Sequence, residues 1–128
     1  MSIVSIVLIA MVALFFAAMG VFGLLRPSQL VDSLGVLADR PDSRAEVRAV
    51  YGGFGIAIAV VLVLAAVDVG DLRFGVCVAV AAALGGMAVG RVWSACIEEP
   101  SAFYPVWFFL VLEVIMAAML VLAVVLDP

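Results

Sequence analysis

Four long apolar runs constrain this chain more than any other feature: Ile3 to Leu25, Ala49 to Val67, Phe74 to about Cys96, and Val106 to Leu126. Each approaches or exceeds the roughly 20 residues a helix needs to cross a hydrocarbon core ~30 Å thick. Lipid offers no water to a backbone N–H or C=O, so each run must pair its own polar groups, and a helix does that within one segment. Composition agrees, with 69% of the 128 residues hydrophobic and 12% charged, against about half and a quarter in soluble domains. The expected fold class is all-α: a four-helix transmembrane bundle in one integral membrane domain over residues 1–128, with spans at about 3–25, 44–68, 73–96 and 105–126.

The charges exclude some function classes. A net charge of -4 without a lysine or a histidine argues against a nucleic-acid partner, which needs a basic stripe. It also removes the commonest transition-metal ligand, so no metal or cofactor is expected. Cys77 and Cys96 share the third run, about five helical turns apart and beyond the ~7 Å Cα separation of a disulfide. They read as small apolar packing residues. The first run has no basic flank and exceeds the ~7–15 apolar residues of a signal peptide, so it is expected to stay as the first span.

With four spans, the 26–48 connection and the turn "IEEPSAFY" share one face, and the turn "DVGDLR" shares the other with both ends. The segment "RPSQLVDSLGVLA" sets Pro27 at a helix start, Leu30, Val31, Leu34 and Leu37 on one side, and Gly35 as a stop. That pattern predicts a short amphipathic helix at the membrane interface, between spans 1 and 2. Ser43 and Glu46 form an S-x-x-E capping box, which would begin the second helix at Arg44. Pro105 suits the first turn of the fourth helix, with Tyr104 and Trp107 at the depth of an aromatic belt. Arg26, Arg40, Arg44 and Arg48 lie toward the long connection, against Arg73 alone opposite. The positive-inside rule then puts the long connection in the cytoplasm and both termini outside.

Small residues recur at helical spacing. One stripe runs through Ala82, Gly86, Gly90 and Ser94, a second through Ala49, Gly53 and Ala57, and a third through Arg48, Gly52, Gly55 and Ala59. Gly52, Gly53, Gly86 and Gly90 are therefore expected to pack helix against helix, within the bundle or against another protomer. The alternative is that the line below Arg48 forms a groove for an acyl or isoprenoid tail.

One carboxylate, Glu113, stands about eight residues into the fourth span, roughly 12 Å deep at the helical rise. Arg91 lies near the end of the third span on the same face, and the short turn makes the two helices antiparallel neighbours. Leaving either charge alone in hydrocarbon costs ~2.5–3.5 kcal/mol, so a pair is expected. Arg48 and Tyr51 point together near that face, and Glu46, Ser94, Glu98 and Glu99 complete a polar region. The candidate binding residues are Arg48, Tyr51, Arg91, Ser94, Glu113, Glu46 and Glu98.

One reading makes the cluster a structural lock, with Arg91 and Glu113 fixing helix register and Arg48 held by Glu46 or Glu98. The other makes it a pocket for the polar head of a membrane lipid or other amphiphile, in a binding protein or an accessory subunit. Its partners would be lipid and a second copy or a larger membrane protein. A proton-coupled carrier using Glu113 is an alternative. Enzyme chemistry is least supported, since the chain has no histidine, no H-E-x-x-H, no Gly-rich phosphate loop and no aspartate pair within a span. No catalytic residue is assigned, and Glu113 acting with Arg91 or Tyr51 on an epoxide or isoprenoid is the remaining alternative.

The order of these features resembles a bacterial group of small four-span membrane proteins, domain of unknown function 4345. The shared elements are Arg26 with Pro27 after the first span, Glu46 to Gly53 opening the second, Gly90 to Ser94 closing the third, Glu98 with Pro100 in the next turn, and Glu113. At the turn, Glu98 and Glu99 stand where Asp-Gly would be expected. The resemblance implies a four-helix membrane fold, a bacterial inner membrane and the same polar residues, and it carries no activity.

Overall fold

A computed structural model describes residues 2–99 and 102–127. Pro100, half of the acid and proline pair noted above, lies outside them. Helix α1 (Ile3–Leu25) ends where Arg26 and Pro27 follow, and α2 (Pro27–Asp32) begins with proline in its first turn, where the missing N–H is not needed. The backbone then closes at Gly35, whose φ of +80° suits a residue without a Cβ. Helix α3 (Pro41–Ala66) begins three residues before the expected Arg44. Pro41 supplies its first turn and no side-chain cap forms, so Ser43 lies inside the helix rather than capping it. A turn of wider π geometry, Arg48–Gly53, interrupts α3. Helix α4 (Leu72–Ile97) follows a tight turn, and α5 (Phe108–Leu126) follows the lead-in Phe103–Trp107, which contains Pro105.

α1, α3, and the helical stretches ending in α4 and α5 are each long and apolar enough to cross a membrane. The protein is an all-α, multi-pass four-helix transmembrane bundle with one short additional helix. Its outer face is apolar, with Leu14, Phe74, Val89 and Val125 exposed, a surface that suits acyl chains rather than water. Helix α1 packs most extensively on α3 and α4 on α5, while contacts of α1 with α5 and α3 with α4 close the ring.

The interior is unequal along the bundle axis. Ile9, Val12, Leu62, Cys77, Val80, Leu84, Leu120 and Ala123 form a close-packed core in the half nearer the short 67–71 turn. There the Ser5 hydroxyl donates to the Ala123 carbonyl at 3.0 Å. A smaller cluster of Val31, Ala38 and Val47 docks α2 and its following turn onto the start of α3. The Ser28 hydroxyl reinforces it, donating to the Ala38 carbonyl at 2.9 Å. Of the predicted apolar side of α2, Val31 is buried and Leu30 and Leu34 half-buried, whereas Leu37 is exposed. The segment is therefore a docked cap on the bundle, with Val36 and Leu37 turned outward.

The glycines divide differently from the expectation. Gly52 packs, because a Cβ there would meet the Leu24 side chain at 2.7 Å. Its partners are Gly20 and Gly23 of α1, which the sequence reading passed over although two glycines three apart in one span mark a smooth face. A Cβ on Gly20 would lie 2.8 Å from the Ile56 backbone nitrogen and 2.9 Å from the Gly52 oxygen. Gly53, Gly86 and Gly90 make no close helix contact among the described residues: a Cβ added at Gly86 or Gly90 would meet nothing within 4 Å, and one at Gly53 only the Arg48 oxygen at 3.8 Å. The reason is rotational. Helix α4 buries Cys77, Val80, Ala81, Leu84 and Ala88, and Gly86 and Gly90, two residues beyond Leu84 and Ala88, stand about 200° around the helix. Gly20→Ala is expected to lower unfolding stability by about 1–3 kcal/mol through overpacking, while Gly86→Ala, with open space for its Cβ, should leave it unchanged or raise it by up to about 1 kcal/mol through helix propensity. Detergent-mediated unfolding followed by circular dichroism would measure both.

Candidate functional site

The antiparallel pairing of α4 and α5 brings Arg91 against Glu113. The Arg91 Nε donates to Glu113 Oε1 at 2.9 Å and Nη2 donates to Oε2 at 3.0 Å. This two-bond fork fixes orientation as well as distance. Glu113 is 3% exposed, while 29% of the Arg91 side chain remains accessible. One turn before Glu113, the Phe109 ring lies 5.6 Å from the guanidinium carbon, a cation–π contact. Phe108 and Tyr104 pack against Phe109 at ring separations of 5.1 and 5.9 Å. The lead-in to α5 thereby steadies the ring beneath the arginine.

Beside the pair lies a cavity of about 430 Å³, within the few-hundred-Å³ range of small-molecule pockets. Helix α1 lines it with Phe15, Phe16, Met19 and Phe22, and α4 and α5 add Leu84, Met87 and Met116. Leu30, Ser33 and Leu34 close it from the side of the long connection, and Tyr51 reaches it from the π turn of α3. Its polar groups are Arg91, Glu113, Tyr51 and Ser33. The Ser33 hydroxyl is committed locally, donating to the Leu30 carbonyl at 2.6 Å.

Of the residues the sequence singled out, Arg91, Glu113 and Tyr51 meet at this cavity. Arg48, Glu46, Ser94 and Glu98 do not line it, and all four are exposed. Arg48 is held by neither Glu46 nor Glu98. Its Nε donates to the Leu24 carbonyl at 3.1 Å, tying α3 to the end of α1. Glu98 leaves the helix in extended backbone just after Ile97. Charges beyond the hydrocarbon can be hydrated and need no partner. The tail groove along Gly52 and Gly55 is likewise absent, because α1 fills that face. What the sequence reading missed is the wall of α1. Phe15, Met19 and Phe22, spaced by four and three, put large aromatic and thioether groups on one face, a signal that could have been read.

A second buried ion pair was also missed. Arg73, 4% exposed, pairs through Nη1 with Asp127, and its Nη2 donates to the Ala66 carbonyl. Its Nε donates to the Ala65 carbonyl at 3.1 Å. The Ser2 backbone N–H also donates to Asp127 at 2.8 Å. That N–H, then the Arg73 guanidinium, hold the Asp127 carboxyl below its ordinary range. The cluster binds the beginning of α1, the end of α3, the start of α4 and the end of α5 at the face opposite the cavity. Among the described residues no three metal-ligating side chains come together.

A family model described as domain of unknown function (DUF4345) matches residues 4–124. No curated protein and no solved structure matches the chain.

Proposed function

We propose, from the premise that this chain belongs to the family described as domain of unknown function 4345, that it is a small membrane protein whose intramembrane pocket holds an amphiphile or lipid. The single observation that carries this reading is the cavity of about 430 Å³ beside a buried Arg91–Glu113 fork. A purely structural ion pair needs no space next to it. Close-packed interiors seldom leave voids larger than water. The apolar walls would take the body of the ligand, and the polar side chains its head.

The proposal includes orientation and company. Arg26, Arg40 and Arg48 are exposed and Arg44 half-buried at the long-connection face, whereas Arg73 opposite is buried in an ion pair. This supports a cytoplasmic long connection with both chain ends across the membrane, in a bacterial inner membrane if the family resemblance is followed. In an accessory subunit, the open Gly86 and Gly90 face of α4 is where a second copy or a larger membrane protein would lie.

Native mass spectrometry of the detergent-extracted protein tests the pocket. A bound amphiphile is expected on the wild type and absent from Met87→Trp, in which a large ring enters the cavity from a half-exposed position on α4. Wild-type protein free of any adduct, or equal adduct on a folded Met87→Trp, would remove the proposal.

A further inference from the structure

The hydrogen bonds around the cavity narrow the chemistry of its occupant, provided the pocket reading above holds. Arg91 spends Nε and Nη2 on Glu113. Nη1 sits on the edge of the guanidinium turned from the carboxylate. Among the described residues no acceptor takes its hydrogens, and none takes the hydrogen of the Tyr51 hydroxyl. Both residues line the cavity and neither is fully buried, so their remaining hydrogens are open to an acceptor there. Two donors therefore await an acceptor in a chamber otherwise walled by phenylalanine, methionine and leucine.

Charge disfavours ionic heads. The fork is already neutral, and both Glu113 oxygens accept from Arg91. An anionic head would have to pull Arg91 away, stranding a carboxylate that is 3% exposed, or add a second negative charge beside it. A cationic head would face the guanidinium, with Glu113 occupied behind it. Either outcome leaves an uncompensated buried charge, which is strongly unfavourable.

We infer that the ligand is an uncharged, elongated apolar molecule ending in a carbonyl-type acceptor, which receives hydrogen bonds from Arg91 Nη1 and the Tyr51 hydroxyl. No bond is made or broken in this binding. Removing one donor weakens it and leaves the apolar contacts intact.

The test uses the full chain in lipid nanodiscs and a tritiated long-chain methyl ketone, competed by the alkane, carboxylate and primary amine of equal chain length. The ketone is expected to bind saturably and about tenfold more tightly than the alkane, the scale of hydrogen bonds that include one to a charged donor. The carboxylate and amine are expected not to displace it. Tyr51→Phe should reduce the ketone's advantage several-fold without changing alkane binding. If the carboxylate or amine competes as well as the ketone, or the alkane equals it, the inferred ligand class is wrong while the pocket stands. If Met87→Trp, folded by circular dichroism, binds the ketone as the wild type does, or no saturable binding occurs, the pocket reading falls and this inference with it.

Discussion

Replacing Arg91 by leucine is expected to destabilise the protein by about 3–5 kcal/mol, the usual cost of stranding one member of a buried pair. The mirror change should cost less. Arg91→Leu leaves a carboxylate that is 3% exposed without a donor, whereas Glu113→Leu leaves an arginine whose side chain is 29% accessible and whose long stem can carry its charge outward. The double substitution Arg91→Leu with Glu113→Leu should recover most of the loss, since two matched apolar side chains remove both desolvation penalties together. Unfolding free energies of the four proteins in mixed micelles form a double-mutant cycle. Additive losses would show that the two charges are not energetically coupled, and equal single losses would contradict the asymmetry. The double variant also bears on function. Folded and stable, it is expected to hold its bound amphiphile several-fold more weakly, because stability needs only a matched pair while recognition also uses the Arg91 donor.

The second large effect is expected at the opposite end of the bundle. Arg73→Met keeps the length and apolar stem of the side chain but removes the donors held by the Ala65 and Ala66 carbonyls. An unsatisfied buried acceptor costs about 1–3 kcal/mol. The Ala65 carbonyl still accepts from the Asp68 N–H at 3.0 Å, so the Ala66 carbonyl is the one left without its donor, and with the Asp127 ion pair lost as well a destabilisation of at least that size is expected, measured by unfolding in the same micelles. Wild-type stability after the substitution would mean that water reaches that carbonyl. The carboxylate partner adds a pH signature. The folded pKa of Asp127 lies below its ordinary 3.8, so its contribution is fully present above that value and is lost as the pH falls through the lower folded one. Acid titration of the wild type should show this loss. In Arg73→Met it should shrink without vanishing, because the Ser2 N–H still donates to the carboxylate.

The two ion pairs were not equally legible. Arg91 and Glu113 could be paired on paper because both lie inside apolar runs joined by one short turn, and an isolated charge at that depth has no inexpensive alternative. Arg73 and Asp127 sit 54 positions apart at the ends of runs, where water is a plausible partner for each. Only the closing of the helix ring shows that they meet. Glu46, Ser94 and Glu98 failed in the other direction, since nearness along the chain and a shared membrane face suggested a cluster that hydration makes unnecessary.

What the chain determined by itself was the membrane class, the four crossings and the depth of its intramembrane charges. Those follow from apolar run length and from the cost of an unpaired group in lipid, neither of which depends on helix rotation. Rotation was left to the tertiary structure. It decided that Gly52 faces α1 while Gly53, Gly86 and Gly90 face outward, and that a ring of phenylalanine and methionine, rather than a glycine groove, surrounds the Arg91–Glu113 fork. A helix with several small or apolar faces carries no local preference among them. The choice is made by which faces fit together when four helices close on one another.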